Sequence, residues 1–219
     1  MKEQDPFYIG YMPQAPAAIG GWLKKYILLL LILPLLVGSL LVLNQKPYAA
    51  TVFEFGQPRQ FTGVILEHPY PMLSVNRPGL TEGQDQSHYY LVAFGKHGAS
   101  EATAGLHGKQ VSLTGTLIYR DNQTMIELAP GPIEVVGTGE ISEAKDTATQ
   151  VELIGEIVDS KCFLGVMNPG EAKTHKACAI RCVAGGIPPL LVSRQSSGEV
   201  RYFLLTGPGG KPVNQQVLN

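Results

Sequence analysis

The hydropathy pattern changes character twice along the chain. From 26 to 45 there is no charged residue, and 27–43 is almost continuously Leu, Ile and Val. Twenty uncharged residues match the length needed to cross about 30 Å of hydrocarbon. Pro34 lies in the middle of the run, where a bilayer helix tolerates a kink. This predicts a transmembrane helix at 26–45, preceded by an N-terminal tail at 1–25. Beyond it the period shortens to alternating or apolar runs bounded by Gly and Pro, which predicts strands at 60–66, 89–94, 110–119, 125–128 and 133–136. Gly115, inside the third of these runs, points to a bulge or sharp bend in a small barrel.

The polar, acidic stretch 138–149 reads as a linker between a first lobe at 50–137 and a second at 150–219. The second lobe repeats the first in outline. Phe61-Thr62-Gly63-Val64-Ile65-Leu66 resembles Leu153-Ile154-Gly155-Glu156-Ile157-Val158, and Tyr89-Tyr90-Leu91-Val92 resembles Tyr202-Phe203-Leu204-Leu205. The matched strands are further apart in the second lobe, by about the length of the segment from Cys162 to Cys182, so that segment reads as an insertion. The expected fold is mainly β: one N-terminal transmembrane helix, then two lobes resembling OB-like small β-barrels, the second with an inserted Cys/His helix. The second lobe has no counterpart of 109–128, so its barrel is incomplete or borrows strands from the first. Intimate lobe–lobe pairing is therefore expected.

Composition refines this picture. Gly and Pro number 25 and 16 of 219 residues, which favours short strands and many turns over a helical bundle. Net charge is −1, and the chain lacks the basic field that nucleic acid would need. Trp22, Lys24, Lys25 and Tyr26 form an interfacial belt at the start of the span, with Lys46 and Tyr48 at its end. Lys2 and the paired lysines place the N-terminus in the cytoplasm and the lobes outside the cell membrane, in the periplasm or extracellular space, as a single-pass protein. A cleaved signal peptide is the competing reading. It is disfavoured by the long preceding segment, the long apolar run and the poor cleavage site near Tyr48-Ala49-Ala50. The aromatic tail around Phe7, Tyr8 and Tyr11 calls for an ordering partner, so both the bilayer and a membrane protein complex are expected partners.

Chemistry concentrates in one segment. Asn168 as N-cap, Pro169 at N1 and Glu171 at N3 open a helix that Gly185, Gly186 and Pro188-Pro189 close, predicting a helix at 169–184. His175, Cys178 and Cys182 are spaced three and four apart, which puts them on one helix face. Cys162 sits at the end of the preceding strand, so all three cysteines of the chain gather here.

Three readings remain open. Cys162, His175, Cys178 and Cys182 could close a tetrahedral shell around zinc, or hold copper or iron, although the spacing is not that of a zinc finger. Cys162 could form a structural disulfide with one helix cysteine, leaving a spare thiol. Or the thiols could be redox-active, their ionisation favoured by Lys161, Lys173, Lys176 and Arg181. Asp159 could orient His175 or a ligand, and Met167 is a weaker soft candidate. No Ser-His-Asp order, P-loop, Rossmann fingerprint or HExxH motif is present, so no enzyme class is indicated.

Asp159-Ser160-Lys161-Cys162, His175-x-x-Cys178-Ala179-x-x-Cys182 and Gly185-Gly186-Ile187-Pro188 resemble a signature shared by small secreted or membrane-anchored bacterial proteins, covering 151–213. The resemblance implies export and a site at these four positions, and it brings no activity with it. Members of that group end in a Gly-Lys-x-Val-x-Val-x-Gly strand, which here appears at 108–115 of the first lobe. The combined reading is a membrane-anchored accessory to a membrane oxidoreductase complex, with a Cys/His metal or redox site. The alternative is a structural subunit with a disulfide-pinned helix.

Overall fold

The computed structural model describes residues 13–45, 50–77, 86–141 and 148–218. Lys2, Phe7, Tyr8, Tyr11, Lys46 and Tyr48, and the middle of the predicted linker at 142–147, lie outside them. The chain divides into two compact units, Met1–Pro47 and Tyr48–Asn219.

The first unit is built on helix α1, Ala17–Leu43. Its 27 residues rise about 40 Å, more than the roughly 30 Å of a hydrocarbon core. The helix starts upstream of the predicted 26–45, at Ala17 after Pro16 at its N-cap, and runs through Gly20-Gly21 before the apolar stretch begins. Pro34 is contained without ending it, and none of its residues is buried. Its large apolar side chains, from Trp22 to Leu43, are exposed on every side of the helix. At the polar end the Trp22 and Tyr26 rings pack with centroids 4.8 Å apart, and Lys25 lies over the Tyr26 ring. One helix of this chain is thus long and apolar enough to span a membrane.

In the second unit the first lobe closes into a five-stranded barrel. Its strands are β1 (Thr51–Phe53), β2 (Arg59–Leu66), β3 (Met72–Asn76), β4 (Gln86–Val92), β5 (Lys109–Arg120), β6 (Gln123–Leu128) and β7 (Glu134–Thr138). The ring runs β5-β2-β3-β4-β6 and returns to β5; β4 and β6 are parallel and the other ring pairs antiparallel. β5 is twelve residues long and is shared by four neighbours, pairing with β1, β2, β6 and β7. Gly115 marks the point where β5 passes from β2 to β6, opposite both Arg59 and Leu128. A Cβ there would lie 2.4 Å from the Ile126 side chain, so the bend needs glycine. The bulge lies elsewhere on β5, between Gln110 and Val111 against β7. The barrel interior is filled by Ile65, Leu73, Leu91, Val111, Leu113 and Ile126, all essentially inaccessible.

The second lobe departs from the expected barrel. Its described residues form a three-stranded antiparallel sheet, β8 (Glu156–Asp159), β9 (Pro189–Arg194) and β10 (Val200–Leu204) in the order β10-β9-β8, and a small hairpin, β11 (Thr206–Gly207) with β12 (Lys211–Pro212). Among the described residues this sheet does not close, and those after β10 form only the short hairpin and a single helical turn, with no strand of the length of β5. β8 starts at Glu156, later than Leu153, and Gly155 lies so close to β9 that a Cβ would sit 2.4 Å from the Val192 carbonyl oxygen.

What completes the second lobe is the first. Val92, Ile118 and Met125 of the barrel share one core with Val158, Phe163, Leu164, Ile187, Leu190 and Val192. The Tyr70 hydroxyl donates to the Leu205 carbonyl and accepts the Val213 N–H. Arg120 donates from Nη1 to the Phe163 carbonyl at 3.1 Å, with its guanidinium 3.9 Å above the Phe163 ring. Lobe–lobe pairing is therefore intimate, and among the described residues no strand of one lobe pairs with a strand of the other.

Candidate metal centre at the lobe junction

β8 ends at Asp159, and the chain turns at once into a wide helical turn, Cys162–Val166. Asp159 shapes that turn: its Oδ1 accepts the Cys162 N–H at 2.8 Å, fixing Cys162 three residues on. Helix α2 follows at Ala172–Ala184. It is shorter than the predicted 169–184. Asn168, Pro169 and Glu171 do not form a capping box, because Glu171 pairs with Arg194, and the Ala172 N–H is met by the Glu156 carboxylate of β8. The neighbouring strands thus satisfy the helix start that sequence assigned to local capping. At the other end Asn214 donates to the carbonyls of Val183 and Ile187.

The inward face of α2 carries His175 and Cys182, both buried, and Cys178, half-buried. The structure places the four predicted residues in two overlapping groups, not one. The sulfurs of Cys162, Cys178 and Cys182 lie within 4.8 Å of one another, and so do the donor atoms of Asp159, Cys162 and His175. Cys162 belongs to both. His175 does not join the helix thiols around a common point, because its Nε2 is turned to Asp159 Oδ2 at 3.0 Å. Asp159 is completely inaccessible and His175 is 4% exposed, so this pair is sealed in the core. The three cysteines are free thiols.

Two lysines define the surroundings, and only one was expected. Lys161 is 3% exposed and points away from the thiols, donating to the carbonyls of Ala93 and Gly95 at 2.9 and 2.7 Å and pairing with Glu127. Lys173 and Lys176 line a groove of about 450 Å³ beside β8 with Ile157 and Ile180. The cation that meets the sulfurs comes instead from the first lobe: Lys96 Nζ lies 2.7 Å from Cys178 Sγ and 3.8 Å from Cys182 Sγ. Nothing in the sequence near the cysteines signals it. The only hint is the tight Gly95-Lys96-His97-Gly98 turn, which is docked by close backbone approach. The Gly98 N–H donates to the Gly185 carbonyl at 2.9 Å, and a Cβ on Gly185 would collide with the Lys96 carbonyl oxygen at 1.9 Å. The glycines after α2 therefore do more than end a helix; they admit the loop that carries Lys96.

The electrostatics separate the thiols. Cys182 is held down to about 7, foremost by the hydrogen bond from Cys162, with Lys96 and Cys178 adding to it against the effect of burial. Cys162 is pushed far up by that same hydrogen bond, by burial and by the nearby Asp159 carboxylate. The Cys178 sulfur in turn raises Lys96, keeping its ammonium charged. A thiol lowered in this way gives up its proton more readily than an ordinary cysteine, and loss of that proton is what metal binding to sulfur requires. Both donor groups are close enough to bind a metal ion.

Comparison with protein-family models, with curated proteins and with solved structures finds no match to this chain.

Proposed function

We propose that this protein is a membrane-anchored subunit that binds a thiophilic metal ion at Cys162, Cys178 and Cys182. The observation that carries the reading is the convergence of three sulfurs within 4.8 Å of one another in a largely buried junction. Thiolate-rich sites of this kind select zinc, copper(I) or iron over hard cations. Three protein ligands leave a position open, and half-buried Cys178 gives that position a route to solvent. The first lobe is proposed as an OB-type barrel, on the strength of its closed five-strand order with one parallel pair.

The helix α1 anchors the protein, with the paired lysines 24 and 25 on the cytoplasmic side and the lobes outside. In this reading the metal centre serves a membrane oxidoreductase complex as an accessory redox or metal-carrying site, and the export signature at Cys162, His175, Cys178 and Cys182 accords with it. A second reading has one observation in its favour. The Cys162–Cys182 thiol contact favours a disulfide in an oxidising compartment, with Cys178 left free.

Metal analysis and a thiol count on the full-length protein, purified in detergent without added reductant and with air excluded, separate the two. Stoichiometric metal that protects the thiols from alkylation, and is lost in Cys162→Ser, Cys178→Ser and Cys182→Ser, is the expected result. One disulfide, one free thiol and no metal would sink the metal reading.

A further inference from the structure

We propose that the junction holds two metal ions bridged by the Cys162 thiolate, one bound by Cys162, Cys178 and Cys182 and the other by Asp159, Cys162 and His175. This rests on the proposed metal site and adds a second ion of different ligand chemistry. Each set has three donors within 4.8 Å of one another, but the five donors together do not satisfy that limit. A single ion therefore cannot use them all, whereas two ions can, provided they share the one sulfur common to both sets. A thiolate sulfur has lone pairs enough to bind two cations.

Burial argues in the same direction. Asp159 is inaccessible, and the chargeable groups on it are the His175 imidazole and the Cys162 thiol, both members of the second donor set. A carboxylate taken out of water needs a cation or a full set of donors. His175 and Asp159 present N and O at 3.0 Å, a separation that two ligands of one ion can adopt. The backbone contact from Asp159 Oδ1 to the Cys162 N–H already fixes the carboxylate beside the bridging residue. The first ion would see only sulfur, the second one sulfur, one nitrogen and one oxygen. Zinc accepts both ligand sets, which makes a divalent zinc-class cation the expected occupant of each.

Cadmium-113 is the probe. The reduced, full-length protein in detergent is loaded with the isotope and examined for stoichiometry and by NMR. The expected result is two cadmium ions per chain, giving two resonances split by mutual coupling through the shared sulfur, the all-sulfur ion further downfield. His175→Ala and Asp159→Asn should each remove one ion and collapse the spectrum to a single unsplit downfield line. A wild-type protein with one ion and one resonance, unchanged by His175→Ala, overturns the bridged pair and leaves the three-thiol site standing. No retained cadmium at all overturns both. The wild-type spectrum decides the matter even if a variant fails to fold.

Discussion

Lys96 Nζ sits 2.7 Å from Cys178 Sγ across 82 positions of sequence, and this contact ties the barrel electrostatically to the inserted helix. Lys96 also helps to hold Cys182 down to about 7. Lys96→Met removes that cation, so the Cys182 thiolate should form at higher pH than in the parent. Ultraviolet thiolate absorbance of the reduced, metal-free protein against pH reads the shift. An unchanged or lowered midpoint would show that the lysine does not act on the sulfur.

Gly185→Ala tests how the lysine is placed. The new methyl would meet the Lys96 carbonyl oxygen at 1.9 Å, and backbone cannot step aside as a flexible side chain can. Overpacking of this kind costs about 1–3 kcal/mol, and each kcal/mol lowers Tm by roughly 2–4 °C in a domain of this size. The thiolate midpoint should rise as in Lys96→Met. A lowered Tm with an unmoved midpoint would separate loop docking from lysine placement.

Lys161 is buried against two carbonyls and Glu127, joining the start of the cysteine segment to the barrel. Lys161→Met leaves that carboxylate and those carbonyls without their cation, at a cost of about 3–5 kcal/mol. Adding Glu127→Leu should recover part of the loss, since an apolar pair replaces a broken ionic one. Urea unfolding of the single and double variants provides the comparison, and additivity of the two changes would refute the coupling.

For Asp159 and His175 the expectation is a coupled pair. Singly, Asp159→Ala and His175→Ala each strand a buried partner; jointly they should cost less than their sum by about 0.5–3 kcal/mol. The parent for this cycle is metal-free protein, so that the hydrogen bond alone is measured. Strict additivity would mean that the 3.0 Å contact carries no energy of its own.

Much of the scaffold was legible in the sequence because its signals are local. The apolar run marked α1, and period-two runs marked β2, β4, β5 and β6. β3 (Met72–Asn76) and β9 (Pro189–Arg194) escaped, the first because five residues between proline-rich turns give no clear alternation, the second because Pro188-Pro189 read only as a helix stop. The site was half legible. Helical spacing turned His175, Cys178 and Cys182 inward, as the structure does. Spacing grouped His175 with the thiols, whereas its Nε2 meets Asp159, the carboxylate that the sequence also offered as its orienting partner. Lys96 was invisible, since its role arises from a contact between lobes. The second barrel failed for a similar reason: strand likeness at 153–158 and 202–205 is local, whereas closure needs a long strand like β5, and the described residues of the second lobe form none.

The sharing of β5 among four neighbours has a consequence for how the protein comes apart. Any opening that frees β1, β2, β6 or β7 leaves β5 still held by the other three, so its central amides should exchange with solvent deuterons only in the globally unfolded chain. Among the described residues the edge strand β8 has one strand neighbour, so its amides should exchange sooner than those at the centre of β5, and the keel of the barrel should be the last part of the exchange map to label.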